Sequence, residues 1–164
     1  MQNTVYKIKL IYTMKLNALL FVLSFFCFDL SAQTNIQQAA KEIMLAGADD
    51  FGDLTPVKNY FAEDAKFLYP NGIEYDLEKF WNWFTWQREI VANKYITIDV
   101  KVIDNETFCL FKWEGTMRDE NQPKLKGNVA KLPGIYHCVW ENGKVKQMNM
   151  YWDNLTINKG FGIE

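Results

Sequence analysis

Apolar positions follow a helical rhythm in the first part of this chain and an alternating one in the second. Ile36, Ala39, Ala40, Ile43 and Met44 recur at helical spacing and predict an amphipathic helix from Asn35 to Ala48. Thr55-Pro56 offers a cap and a proline at the first helical position, opening a short helix through Tyr60-Phe61. Ala65 to Tyr69 predicts a strand, Pro70-Asn71-Gly72 a turn, and Ile73 to Tyr75 a return strand. Asp76 caps a third helix, Leu77 to about Ala92, which is crowded with Phe80, Trp81, Trp83, Phe84 and Trp86.

The rhythm then changes. Tyr95 to Ile103 sets Ile96, Ile98, Val100 and Val102 against Thr97, Asp99 and Lys101, a strand pattern. Asp104-Asn105-Glu106 turns it into Thr107 to Arg118, and a polar connection, Asp119 to Asn128, leads to a last hairpin. Helices first and a long antiparallel meander second predict an α+β fold, with helices packed on one face of a strongly bent sheet.

The last hairpin, Ile135 to Asp153, turns at Asn142-Gly143, a pair suited to the type I′ turn because both central residues need positive φ. A regular ladder from that turn sets Glu141 opposite Lys144, Trp140 opposite Val145, Cys138 opposite Gln147 and Tyr136 opposite Asn149. Side chains alternate across a sheet, so one face would carry Tyr136, Cys138, Trp140, Val145, Gln147, Asn149, Tyr151 and Asp153. The other would carry Ile135, His137, Val139, Met148, Met150 and Trp152.

The first 32 residues stand apart. Lys7, Lys9 and Lys15 precede an apolar run from Leu16 to Phe28, followed by Ser31-Ala32. That order predicts a secretory leader cleaved after Ala32, its apolar run being short of the ~20 residues that span a bilayer. Residues 33–164 then form one exported domain, periplasmic or extracellular. The leader holds three of the 18 basic and one of the 20 acidic residues, which leaves 15 basic against 19 acidic, net −4. A mildly acidic surface with Arg88 and Arg118 as its only guanidinium groups argues against nucleic acid and anionic membranes as partners. Cys109 and Cys138 both fall in predicted strands and are expected as two buried free thiols, although an exported chain could bridge them.

The chemistry concentrates on the hairpin. Asp153 is the candidate general acid or base: inside an apolar pocket its pKa would rise toward the range useful for proton transfer. Its structural alternative is a strand-end cap on the Asn154 to Thr156 backbone. Tyr136, Gln147, Asn149 and Tyr151 are candidate polar anchors on the same face, or a self-satisfied polar layer. Trp83 and Trp86 are candidate stacking surfaces for a planar ligand, or ordinary core. His137, Met148, Met150 and Trp152 predict a homodimer contact, because an apolar strip on the outside of a sheet needs covering. No metal-ligand spacing, phosphate-cradling glycine loop or nucleophile elbow is present, and no cofactor is implied.

Gly52-Asp53, Tyr60-Phe61-Ala62-Glu63-Asp64-Ala65 and Pro70-Asn71-Gly72 resemble the early segments of the nuclear transport factor 2-like superfamily. Glu141-Asn142-Gly143-Lys144-Val145, with Tyr151-Trp152-Asp153 after it, is similar to the SnoaL-like polyketide cyclase branch. The resemblance covers residues 35–160. It implies a cone-shaped α+β barrel, often dimeric through the outer face of the sheet, in a superfamily of isomerases, dehydratases, cyclases and non-catalytic binding domains. It also implies a general acid/base role for Asp153 at the end of the last strand. The chain departs from the ketosteroid isomerase pattern, which needs a second carboxylic acid and an oxyanion-site tyrosine. It departs from scytalone dehydratase too, which uses two pocket histidines where this chain has one His in all. The function implied is binding of a small, largely apolar molecule. Cofactor-free isomerase, cyclase or dehydratase chemistry at Asp153 is the first form, and a non-catalytic ligand-binding or protein-interaction domain the second.

Overall fold

A computed structural model describes residues 35–163 of the chain. The predicted leader lies outside the described residues. Helix α1 covers residues 35–45 and buries Ala39, Ala40, Ile43 and Met44, the spaced apolar set of its sequence. A one-turn helix α2, Thr55–Lys58, starts at the Thr-Pro pair. Strand β1 is Phe61–Leu68, and β2, Glu74–Tyr75, returns beside it. Helix α3, Leu77–Ile90, opens on Asp76, whose carboxylate accepts the Lys79 N–H at 2.8 Å. Strand β3, Val91–Ile103, begins at the next residue, earlier than periodicity predicts. Strands β4, Glu106–Met117, β5, Val129–Glu141, and β6, Lys144–Tyr151, follow as a meander. A helix the pattern did not predict, α4, Asn154–Phe161, closes the described chain.

The six strands form one sheet in the order β2-β1-β6-β5-β4-β3. Only β1 and β6 run parallel. The sheet is not closed: β2 and β3 are its free edges, so the barrel expected of the fold is open. Helices α1 and α3 cover the inner face. Phe67 of β1 stacks on Phe80 of α3 with ring centroids 3.9 Å apart, at the centre of an aromatic cluster with Phe61, Trp81 and Phe84. The chain's two arginines act as clamps. Arg118 donates to the carbonyls of Arg88 and Glu89 at the end of α3, and Arg88 donates to the Phe51 carbonyl at 2.7 Å. Cys109 and Cys138 are both buried free thiols, set diagonally on β4 and β5.

The hairpin turns at Asn142-Gly143, with φ of 50° and 72°, as the I′ turn requires. Its register corrects the regular ladder. Glu141 pairs with Lys144 and Trp140 with Val145, but Val139 then pairs with Gln147, Cys138 with Met148, His137 with Asn149 and Tyr136 with Met150. Lys146 is the extra residue, a β-bulge, and its ammonium lies 2.5 Å from the Asp64 carboxylate of β1. One extra residue moves every later side chain to the opposite face. Met148 and Met150 are therefore core residues, each 1% exposed, and Trp152 faces inward with them. Gln147, Asn149 and Tyr151 face outward beside His137 and Ile135. The predicted dimer strip of His137, Met148, Met150 and Trp152 is thus split between the two faces. The physical cause is burial: the bulge lets Val145 and both methionines enter one core, which a regular ladder forbids.

The bulge makes a sharp prediction for chemical denaturation. Met150→Ala should cost about 2–4 kcal/mol as a core truncation. Gln147→Ala should change stability by no more than about 0.5 kcal/mol. The regular ladder requires the reverse order.

Candidate functional site: an aromatic cavity under the fourth helix

A cavity of about 350 Å³ lies between the inner face of the sheet and helices α3 and α4. Helix α3 contributes Trp83, Phe84, Trp86, Gln87 and Ile90, and the sheet contributes Tyr95, Phe111, Trp113, Leu132 and Tyr136. Ile157 and Phe161 of α4 form the opposite wall, with Tyr69, Tyr75 and Trp152 completing the ring of aromatics. Two glycines keep the space open. A Cβ on Gly134 would sit 2.2 Å from the Phe111 ring, and one on Gly115 would sit 2.2 Å from the Trp113 ring. The tip of the Phe111 ring and the outer edge of the Trp113 indole therefore occupy space that a side chain at either glycine would fill. A third glycine, Gly160, brings α4 against β5, since its Cβ would lie 2.6 Å from the Ala130 Cα.

The aromatic walls have a definite geometry. Trp83 and Trp152 are nearly parallel, 13° apart, with centroids 6.5 Å from each other. Tyr69 meets both edge-on, at 4.7 Å and 6.3 Å. Tyr136 approaches Trp152 at 5.9 Å and Phe111 at 5.1 Å. Such faces suit a planar apolar molecule. Trp86 stands at the mouth, 53% exposed.

The polar groups of the wall are amides, indoles and phenols. Gln87 and Asn93 exchange hydrogen bonds, and Trp113 Nε1 donates to Asn93 Oδ1 at 2.9 Å, so that corner is internally satisfied. The Tyr95 and Tyr136 hydroxyls are neighbours, and burial pushes Tyr95 up to about 12 and Tyr136 well above the ordinary phenol value. Burial raises Tyr69 as well, and its hydroxyl has no hydrogen-bond partner among the described residues. All three are neutral donors at any physiological pH. The cavity wall contains no Asp, Glu, His, Lys, Arg or Cys among the described residues.

Of the residues singled out from sequence, Tyr136, Trp83 and Trp86 line this cavity, as does Trp152, expected at a dimer contact. Gln147, Asn149 and Tyr151 do not. They lie on the outer face, where Gln147 donates to Asn149 Oδ1 at 2.9 Å and Asn149 donates to His137 Nδ1 at 3.1 Å. His137 Nε2 completes the chain to Glu106 Oε2 at 2.8 Å. Asp153 is exposed and caps α4. One oxygen accepts the Leu155 N–H at 3.0 Å and the other the Thr156 hydroxyl at 2.5 Å. The Thr156 hydrogen bond holds its carboxyl below the usual range, the opposite of the upward shift expected of a buried acid. Sequence reading missed Tyr69, Tyr75 and Tyr95, and with them α4. The signals for α4 were present: Asp153 three residues before Thr156, Ile157 four before Phe161, and Gly162 at the C-cap, where φ is 74°.

No family model matches the chain, and no curated protein sequence matches it. Solved structures do. A candidate polyketide cyclase from Pseudomonas putida superposes with a TM-score of 0.66 at 16% identity, over 76% of this chain and 96% of that one. A candidate SnoaL-like polyketide cyclase from Jannaschia superposes at 0.65 with 11% identity, covering 80% and 94%. A nuclear transport factor 2-like protein from Burkholderia xenovorans gives 0.63 at 15% identity, covering 79% and 96%. The fold is nuclear transport factor 2-like. At these identities the likeness is one of fold, and the site has to be argued from its own residues. With this fold the cavity is walled by aromatics and neutral donors, and the carboxylate that follows the last strand, Asp153, caps α4.

The Asp153 cap can be checked by pH. Its folded pKa is depressed, so its contribution is present above the unfolded value of about 4 and fades as pH falls through the folded one. Asp153→Ala should lower the neutral-pH unfolding midpoint by a few degrees, with the gap from wild type narrowing below about pH 4. Asp153→Asn, also a good cap, should keep most of the stability. Neither change should alter stabilisation by a cavity ligand; a loss in Asp153→Asn would return Asp153 to the site.

Proposed function

We propose that this protein binds a small, uncharged, planar and largely apolar molecule without turning it over. One observation carries the reading: among the described residues, the cavity offers aromatic faces and neutral donors but no group able to take or hold a proton near neutral pH. General acid/base catalysis needs a side chain of matched pKa within hydrogen-bond reach of the reacting atom. Binding needs apolar walls and a few polar anchors, which the wall supplies. The isomerase, cyclase or dehydratase reading rests on Asp153, and the commitment of that carboxylate to two donors of α4 favours binding over it.

Thermal unfolding with a matched pair of probes tests this. Naphthylmethanol should stabilise the protein, by about 2.7 kcal/mol at a hundredfold excess over its Kd. Naphthoate should stabilise it far less, because nothing in the wall would compensate its buried charge. The naphthylmethanol effect should be flat from about pH 6 to about pH 8, where no phenol titrates. Equal or better stabilisation by naphthoate, or a bell-shaped pH dependence, would sink the proposal.

We further propose export with cleavage after Ala32, and pairing of two copies through the outer face. Supporting the pairing, Leu110, Ile135 and Tyr151 are exposed and stand side by side across β4, β5 and β6. Native mass spectrometry of protein recovered from its producing cells should give a dimer of chains beginning at Gln33. A monomer, or a retained leader, would contradict the corresponding half.

A further inference from the structure

The cavity wall contains one anomaly. Tyr69 is 8% exposed, and its hydroxyl is sealed from solvent with no partner among the described residues. A buried donor left unpaired is costly, and native interiors pair the great majority of such groups. The ring is not there by accident of a loose loop. Its backbone is locked by the turn that follows β1, where the Tyr69 N–H donates to the Ile73 carbonyl at 3.0 Å and Gly72 N–H donates to the Tyr69 carbonyl at 2.9 Å. Nor is it a misplaced core residue, since it stands edge-on beneath the two parallel indoles of Trp83 and Trp152.

We infer that Tyr69 determines the specificity of this cavity, and that its ligand carries a neutral acceptor oxygen, a carbonyl on a planar apolar frame, to which the Tyr69 hydroxyl donates. The inference rests on the binding reading above and adds to it the polar atom that the ligand must present. An acceptor oxygen satisfies the hydroxyl, whereas a hydrocarbon of the same shape leaves it unpaired. A carboxylate would meet the same donor but no counter-charge, since the lining holds no cation among the described residues. The hydroxyl is sealed in this arrangement, so a ligand reaches it when a ring beside it shifts; Tyr75, Trp83 and Trp152 are the aromatic neighbours of Tyr69. Trp83 is fixed on α3, but Trp152 sits in the two-residue link between β6 and α4. Its Nε1 donates a single exposed hydrogen bond to Asn154 Oδ1 at 2.8 Å and its ring otherwise rests on Trp83, Tyr69 and Tyr136, so on this inference its indole is the neighbour that shifts on binding.

Equilibrium dialysis with acetylnaphthalene and isopropylnaphthalene, of matched shape but differing in the oxygen, tests this in wild type and Tyr69→Phe. The variant should lose about three- to tenfold in affinity for acetylnaphthalene while isopropylnaphthalene binds as well or better. Ligand-free Tyr69→Phe should unfold at a higher temperature than wild type, because the unpaired hydroxyl is gone. Weaker function with greater stability is a pair of signs that a structural role would not produce. Equal effects on both probes would overturn the role of Tyr69 and leave the binding reading standing. Binding of neither probe to wild type would overturn both. Wild type alone gives a further check: its preference for the ketone must exceed the ratio of the two alkane–water partition coefficients, and a preference at or below that ratio overturns the inference.

Discussion

Everything about this site depends on one extra residue in one strand. Without Lys146 as a bulge, Val145 would be buried and both methionines would face water, or the reverse. With it, Val145, Met148 and Met150 all enter the core, and Trp152 follows them to the cavity wall. The penalty for a bulge is a locally broken ladder; the gain is burial of two methionine side chains, each ~1.5–3 kcal/mol. The local break is also tied down, since Lys146 reaches Asp64 across the parallel pairing of β6 with β1. The same slip carries Asp153 to the surface, where it becomes the cap of α4.

The cavity then follows from what surrounds that strand. Rings normally fill a space of this kind. Here Gly134 and Gly115 leave room for the Phe111 and Trp113 rings close to the sheet backbone, and both rings line the volume. Helix α4 is drawn close by Gly160 and anchored by Asn128 Nδ2, which donates to the Phe161 carbonyl at 2.8 Å. The polar groups inside divide into two kinds. The amide oxygens are engaged, Gln87 with Asn93, Asn71 with the Ile73 N–H and Asn154 with Trp152 Nε1, whereas the phenols keep their protons. On the proposed reading, a wall of that composition selects its ligand by shape and by neutral acceptor groups.

The outer face shows the other consequence of the slip. Glu106, His137, Asn149 and Gln147 form a continuous hydrogen-bonded chain, and the His137 ring stacks on Phe108 at 4.5 Å. The arrangement fits an imidazole that carries its proton on Nε2 and accepts at Nδ1. Of these, Gln147 and Asn149 are the groups that a regular ladder would have turned inward beside Asp153.

By itself, the sequence determined the order and type of most elements. Helical spacing placed α1 and α3, alternation placed β3 to β5, Asp76 marked a cap, and Asn142-Gly143 marked the I′ turn. Such signals are local, and local backbone preference decides them. It also contained the clue to the bulge: Val145 is odd in position while Met148, Met150 and Trp152 are even, so no regular strand can bury them all. Which set yields is a tertiary question. It was decided by the helices and β1 packing on the inner face, where burying both sets outweighs a regular ladder. For the same reason the residues of the site were only partly legible. Tyr136, Trp83 and Trp86 fall on predicted inner faces, but Tyr69, Tyr75, Tyr95 and α4 come together from segments far apart in the chain. No local pattern records that they meet; it follows only from how the helices and the open sheet close around the space between them.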